Sequence, residues 1–401
     1  MSYVAGMAPD TVSTATIIGA GPAGALAAAL LARRGVDVTL VDKATFPRTK
    51  VCGSCLSPTA MNALRKAGFE GLVERLGGVP LREMHLYNGA QRIVLEIADS
   101  WSLSRAALDN ALVEAATAAG ARCLPDTTAT VRGLEAYRRR VEIRKTDSCV
   151  VEALGAVSDA SVPDGDKRLD YELPSKIVIA ADGLAGTSLR YLRSLRPQIS
   201  PTSKVGIGAV LSAQACDFYE PNIIYMIAGA GGYIGLVRLE DNTLDVAAAV
   251  NSEFLKRHGG PAEAAAALLR AARLSVPSEM AHAEWRGTAA LSRRREQVGA
   301  ERLFVIGDSA SYVEPFTGEG IAWALLGALH VAPLAERAAL VWNPSLATEW
   351  EQIYNSEIRA RQRKTAVVAG ILKNDVLRNV GAEVLARVPM LSSFIVESIH
   401  A

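Results

Sequence analysis

The chain has 401 residues, half of them hydrophobic, with 43 basic and 42 acidic side chains and a net charge of +1. That balance leaves no electrostatic footprint for nucleic acid and favours small or apolar partners, while the length suits one large domain or two to three interleaved ones. The five cysteines, Cys52, Cys55, Cys123, Cys149 and Cys216, are an odd set in a long chain and fit a reducing compartment better than a disulfide framework.

The opening MSYVAGMAPDTVST lacks the basic start and apolar core of a signal peptide, so the expected location is the cytoplasm. Residues 14–18 then read as a strand, GAGPAG as a glycine turn, an Ala/Leu run to Arg34 as a helix, and 36–41 as a second strand. The run ATIIGAGPAGALAAALLA is about long enough to cross a membrane, but its glycine spacing after a β-branched run, and the strand beyond, assign it to a βαβ unit. A loop with the tetrad CGSC follows, and Pro58 opens a short helix, its missing N–H costing nothing there.

Two strand-like pieces at 83–87 and 93–97 lead to a long helix from about residue 104 to 119, and short strands fill 121–151. SVPDGDKRLDYELPS reads as a polar loop, and KIVIAADG as a central strand leaving its sheet at Asp-Gly. Residues 197–290 change to strand-length runs at 205–211, 222–228, 233–239 and 244–250, expected to form a separate antiparallel layer. RLFVIGD returns as a buried strand, GEGIAWALLGALHVAPLAERA as a helix, and the remainder is mostly helical.

Gly19, Gly21 and Gly24 make GxGxxG between strand and helix, around Pro22 and Ala23. The first glycine permits a tight turn, the second admits a pyrophosphate against bare backbone, and the third lets helix and strand pack closely. Asp42 ends the second strand, placed to accept hydrogen bonds from both ribose hydroxyls of an adenine dinucleotide. Two later strand ends decide between NAD and FAD. One carries Asp182 and Gly183, the other Gly307 and Asp308, followed by Pro315, Gly318, Glu319, Gly320 and Ile321 at a helix start. A short acid there suits a ribityl hydroxyl, and free N–H groups suit the anionic carbonyl edge of a reduced flavin. GAGGYIG at 229–235 imitates a second nucleotide loop, but strands follow it rather than a helix.

The order GAGPAG, DK..FPR, LSRAALDNAL, ADG and GDSASYVEPFTGEGI resembles the FAD flavoproteins that group p-hydroxybenzoate hydroxylase, geranylgeranyl reductases and flavin-dependent halogenases. The resemblance covers most of the chain and is strongest to the geranylgeranyl-reductase-like branch, through FPRTKVCG and PFTGEGI. It implies an α/β fold: a Rossmann-like FAD-binding domain interleaved with an antiparallel β-sheet substrate domain, and a helical C-terminus. The implied divisions are 1–80, 101–196 and 291–343 for FAD, 81–100 and 197–290 for substrate, and 344–401 for the helical region. It implies FAD as cofactor and NAD(P)H as a transient reductant. Arg48 and Lys50 would flank the cofactor, Cys52 and Gly53 would lie beside the isoalloxazine, Arg105 would reach the FAD, and Lys43 and Val131 complete the implied set.

A zinc role for CGSC lacks a second Cys or His pair, and a papain-like role lacks supporting context. A reversible Cys52–Cys55 thiol pair and a mere packing role both stay open. The halogenase pattern WxWxIP is absent. Where reductases carry YxWxFP, this chain has YIGLVR, so Tyr233 matches, Gly235 replaces the tryptophan, and Val237-Arg238 replaces Phe-Pro. Tyr233, Gly235 and Arg238 are the expected substrate residues, and the lost indole suits a bulkier or aromatic substrate. The leading expectation is a monooxygenase of a hydrophobic aromatic or polyketide-like metabolite, with Cys52 and Glu319 as catalytic candidates. An ene-reductase of an isoprenoid or polyene, and a flavin-binding redox sensor using Cys52 and Cys55, are the alternatives. The chain is expected to be a monomer or homodimer without a transmembrane segment, its apolar tail VLARVPMLSSFIVESIH serving as a core or dimer helix or a peripheral membrane contact.

Overall fold

The computed structural model describes residues 13–145, 169–215, 218–314 and 318–373. Five parallel strands form the heart of one sheet, in the order Leu303–Val305, Leu169–Ala180, Ser13–Ile18, Val38–Val41 and Arg122–Leu124. These strands are nearly continuous apolar runs because helices cover both faces of the sheet. The helix Pro22–Arg33 carries Ala25, Ala27, Ala28 and Ala29 fully buried, and it packs against helices Arg105–Ala118 and Gly320–Leu340. Alanine on every side allows that three-way approach; the same run on a membrane span would face lipid. Among the described residues no helix is long and apolar enough to cross a membrane.

Strand Leu169–Ala180 pairs with three strands. Its second half pairs in the parallel sheet, and its first half extends antiparallel along Arg138–Lys145, whose hairpin mate is Thr127–Glu135.

The second sheet has eight strands, in the order Arg286–Ala290, Val205–Leu211, Leu244–Val250, Gly232–Arg238, Ile223–Gly229, Val79–Asn88, Gln91–Ser102 and Cys55–Leu56. One pair, Ile223–Gly229 with Val79–Asn88, is parallel, so the layer is not purely antiparallel as the sequence led us to expect. The reading of residues 197–290 as strands alone also passed over two helices, Ser252–Arg257 and Pro261–Ala271. Their physical reason is plain: Ala265, Ala266, Leu268 and Leu269 bury against Ile234, Leu236, Val246 and Ala248 on the back of the sheet. GAGGYIG is a hairpin between two strands of this sheet, as its flanking pattern required.

The period of two along these strands sorts the sheet's faces. Ile234, Leu236, Val246, Ala248 and Val250 point back into the helix-covered core. Tyr233, Gly235, Val237, Asp245, Ala247 and Ala249 take the other parity and face the parallel-sheet half.

The C-terminal helices Ser345–Ile353 and Ala360–Lys373 are joined through a π-helical turn, Tyr354–Arg359. They are pinned to the parallel sheet from below. Trp350 Nε1 donates to Val305 O at 3.2 Å, and Tyr354 and Gln362 both meet Ser311 Oγ, at 2.6 and 2.7 Å. The apolar tail segment 384–400 lies outside the described residues.

Candidate active site

The three loop glycines do three different jobs. Gly19 has φ +99°, and a Cβ there would stand 2.4 Å from Ala181 O; a Cβ on Gly24 would stand 1.8 Å from Gly19 O. Both are demanded by the protein's own packing. Gly21 is different, because the nearest atoms to its missing Cβ are two guanidinium nitrogens, Arg105 Nη2 at 3.5 Å and Arg48 Nη2 at 3.6 Å. Gly21 also caps the helix Pro22–Arg33 without any side-chain acceptor, so the helix's first N–H groups point at this charged space.

Asp109 organises the two arginines. It is fully buried and takes both Arg105 Nε, at 2.9 Å, and Arg105 Nη2, at 2.8 Å, while Arg48 Nη2 stands 3.5 Å away. The bidentate pair locks Arg105 at the first position of its helix, so this arginine is buried rather than solvated. Arg48 Nη2 also reaches Asp42 at 3.4 Å, and its buried Nε has no hydrogen-bond partner among the described residues. Asp42 accepts from Ala20 N at 2.7 Å and from Ala44 N at 2.9 Å, bracing the glycine turn with lone pairs to spare. A buried orphan donor, an uncapped helix start and two arginines on bare glycine fit a diphosphate.

Lys50 extends the positive wall. Its ammonium stands 3.1 Å from where Gly183 would carry a Cβ, and burial together with Arg105 lowers its pKa, against the opposing pull of Asp308. Asp308 follows Gly307, which has φ +60°; burial raises its pKa, and Lys50 and Arg105 oppose the rise. Asp182 is occupied differently from the sequence expectation. Its carboxylate accepts from Ser188 N at 2.8 Å and Ser309 Oγ at 2.9 Å, stitching two strand-end loops together. Lys43 is exposed beside Asp42. Val131 has its side chain fully buried in the core and pairs in register with Val141.

Between the two sheets lies a cavity. Gly21, Pro22, Ala23 and Arg105 line one end; Gly183, Gly307, Asp308, Gly318, Gly320 and Ile321 line its roof, and Cys52 and Gly53 its flank. Glu319 is buried as the N-cap of the helix Gly320–Leu340, beside the cavity rather than on its wall. Pro315 lies outside the described residues.

The floor is the front of the second sheet. Tyr233 and Gly235 line it, and sequence reasoning missed Met84, Ile224, Met226, Leu291 and Tyr312, whose parity alone would have found the strand members. Burial raises the pKa of Tyr233 well above its ordinary value, with Glu314 adding to the rise, so this phenol stays protonated at neutral pH. Arg238 is corrected. It has the parity of Ile234 and Leu236, and on the back face its guanidinium donates to Tyr219 O at 2.7 Å and to Asn242 O at 2.7 Å. It does not line the cavity.

Across the floor the strands place Gly208 beside Ala247, Ala247 beside Gly235, and Gly235 beside Met226. The next row aligns Gly206, Ala249 and Tyr233. Neighbouring side chains fill the room these small residues leave: Met226 lies over Gly235, Thr288 and Leu291 over Gly206, and Val51 over Gly208.

A family model for the FAD binding domain matches residues 11–365. The chain belongs to the FAD-binding domain family. This flavoprotein is similar to a menaquinone reductase of Mycobacterium tuberculosis, 33% identical over 156 residues, 36% of each chain. It is also similar to digeranylgeranylglycerophospholipid reductase 1 of Methanococcoides burtonii, 25% identical over 80% of this chain and 74% of that one. Among solved structures it shares its fold with the flavin-dependent brominase Bmp2, at a TM-score of 0.75, 15% identity, and 97% and 93% coverage. The chain spans less than two thirds of the length of several curated relatives it matches. The FAD binding domain is the one that the sequence motifs indicated.

Proposed function

We propose that this flavoprotein is a monooxygenase that hydroxylates a hydrophobic aromatic or polyketide-like metabolite, with NAD(P)H as the electron source. The observation that carries the reading is the cavity itself, with an apolar floor of Tyr233, Met226, Met84 and Leu291 beside small Gly and Ala positions, facing the residues expected to surround a flavin. In this reading FAD lies with its ribose at Asp42, its diphosphate on Gly21 between Arg48 and Arg105, and its ring against Cys52, Gly53 and the helix start at Gly320. Residues 81–100 and 197–290 carry the substrate.

Bound FAD supplies the oxygen-activating chemistry. The chain's own part is to exclude water with an apolar wall and to set charge near the ring through Lys50 and Asp308, with Cys52 on the cavity flank and Glu319 behind the helix start as its candidate catalytic groups. Cys52 is half-buried on the cavity flank. The redox-sensor reading is weaker, since burial, with Cys52 and Asp245 adding, pushes the Cys55 thiol far up, and its Sγ donates to Gly53 O at 3.0 Å. A thiol held protonated is a poor partner for disulfide exchange.

The test is turnover with isotopically labelled dioxygen and a set of alkylated phenols. Incorporation of one labelled oxygen with matched NAD(P)H oxidation supports the reading. Anaerobic gain of two hydrogens across a substrate double bond overturns it in favour of the reductases it resembles.

Two variants probe the same site. Arg105→Met leaves Asp109 buried without its bidentate partner and removes one guanidinium from Gly21; FAD affinity, measured by fluorescence quenching of the apoprotein, is expected to fall at least about tenfold. Arg105→Lys should recover little, because a point charge cannot replace the fork. Gly235→Trp is expected to leave FAD content unchanged while cutting aromatic turnover by about tenfold or more, since the indole must displace Met226, whose Cε already lies 3.3 Å from the Cβ position. Undiminished turnover would show that the substrate lies elsewhere.

A further inference from the structure

A second cavity, of about 420 Å³, adjoins the first and shares a wall residue with it, Tyr312. It lies against a three-stranded sheet of Gln198–Ile199, Arg293–Arg294 and Ser311–Tyr312. Ile199 pairs with Arg293, and Arg293 with Tyr312, so these three side chains share one face of that sheet, and all three residues line the cavity. Ser200, Ser292, Arg294 and Glu314 add to its polar wall.

Arg293 is a half-buried cation held in one place. Its Nη1 donates to Leu184 O at 2.6 Å and its Nε to Ala290 O at 3.0 Å, which fixes the plane of the guanidinium and leaves Nη2 without a partner among the described residues. No carboxylate lies within ion-pair distance of it among the described residues, and burial lowers its pKa with no acid opposing the fall. Glu314, the acid on the same wall, is committed elsewhere, to Lys204 Nζ at 2.8 Å and Ser292 Oγ at 3.2 Å. Exposed Arg294 adds a second positive charge, its Nε donating to Gln198 Oε1 at 3.2 Å.

A charge taken partly out of water and left without a counter-ion is unfavourable, and an arriving anion offsets that cost. The fork is also immobilised in advance, so little freedom is lost when it closes on a planar carboxylate or a phosphate. Leu184, whose carbonyl anchors the fork, lines the first cavity, as does Leu291, so the two spaces meet at Tyr312 and at the residues that carry Arg293.

We propose that the second cavity is an anion seat, in which Arg293 takes the carboxylate or phosphate of a molecule whose other end lies in the first cavity. The seat stands apart from the hydroxylation reading, since a reductase would hold an anionic group in the same way. Two kinds of molecule bring such a group to a flavin: an acidic substrate, and a phosphorylated dinucleotide that reduces it. A neutral ester of the same shape gains nothing from the fork.

The experiment is isothermal titration calorimetry of the FAD-loaded chain with 6-hydroxy-2-naphthoate, with its methyl ester and with adenosine bisphosphate, in low salt and with added sulfate. For an acidic substrate, the wild type is expected to bind the naphthoate at least about tenfold tighter than the ester, and sulfate should narrow the ratio by displacing the acid alone. Arg293→Gln should bring the ratio near one while ester affinity and FAD content stay unchanged. Arg293→Lys, which keeps the charge without the fork, should fall between the two. A large ratio that depends on Arg293 assigns the seat to an acidic substrate; a ratio near one, with bisphosphate binding lost in Arg293→Gln, assigns it to the dinucleotide. The seat is overturned if the wild type neither prefers acid to ester nor binds the bisphosphate, or if sulfate and Arg293→Gln leave both kinds of binding untouched. Because the preference and its response to sulfate are read in the wild type, a glutamine variant that melts low leaves the test intact.

Discussion

Gly24→Ala is expected to yield a chain that retains no FAD and melts well below the wild type. The added Cβ would stand 1.8 Å from Gly19 O, 3.0 Å from Gly19 C and 3.2 Å from Ala181 Cβ, and backbone cannot swing aside as a long side chain can. The helix that carries Gly24 cannot retreat either, since Ala25, Ala27, Ala28 and Ala29 are fully buried against its neighbours. Relief must come from the Gly19 turn, which Asp42 braces through Ala20 N and which aims the helix start at the two arginines. Overpacking of this kind costs about 1–3 kcal/mol or more, and here the distortion falls on the proposed diphosphate seat itself. Gly21→Ala is the instructive control. Its Cβ meets nothing nearer than 3.5 Å, so the chain should fold and melt normally, yet the methyl occupies the place where a diphosphate would lie. FAD per chain by absorbance, together with thermal melts, separates the two. Stoichiometric FAD and a wild-type melting temperature in Gly24→Ala would refute the account of the loop.

Sequence made the glycine loop and the parallel core readable because their constraints are local. A residue without a Cβ at three spaced positions, an acid at the next strand end and a long alanine helix each admit few structural explanations. The substrate sheet was harder, and Arg238 shows why. A motif aligned residue by residue treats Tyr233, Gly235 and Arg238 as one surface, but a strand turns alternate residues to opposite faces, so an odd offset from Tyr233 changes face. Parity was available and would have replaced Arg238 by Val237. The burial of Asp245 was not legible either: one acid among LDVAAAV carries no motif, and its hydrogen bond with Ser54 joins positions far apart in sequence. Helix Pro261–Ala271 was missed for a related reason, since its apolar face has value only once the back of the sheet exists to receive it. Asp182 shows the reverse error, a correct strand end whose carboxylate serves the loops' own hydrogen bonds.

Lys204→Met is expected to destabilise the chain by about 3–5 kcal/mol, read as a lowered urea midpoint at unchanged slope. Lys204 Nζ meets Glu314 Oε2 at 2.8 Å, with the two side chains 8% and 1% exposed, and Ser292 Oγ donates to Glu314 Oε1 at 3.2 Å. Lys204 leads directly into the strand Val205–Leu211, and Glu314 lies between the strand Ser311–Tyr312 and the helix start at Gly320. The pair therefore binds the sheet that floors the cavity to the segment beyond the strand Ser311–Tyr312. Removing the lysine leaves a buried carboxylate without its cation, which is why the loss exceeds anything a surface pair would show. The double variant Lys204→Met/Glu314→Gln removes the orphaned charge and should recover most of the stability, since a buried ion pair contributes little beyond what a neutral, well-packed replacement provides. Turnover then decides what the pair is for. If the double variant is stable but oxidises NAD(P)H without hydroxylating substrate, the ion pair holds floor and roof in register for the reaction. If turnover returns along with stability, the pair is packing alone.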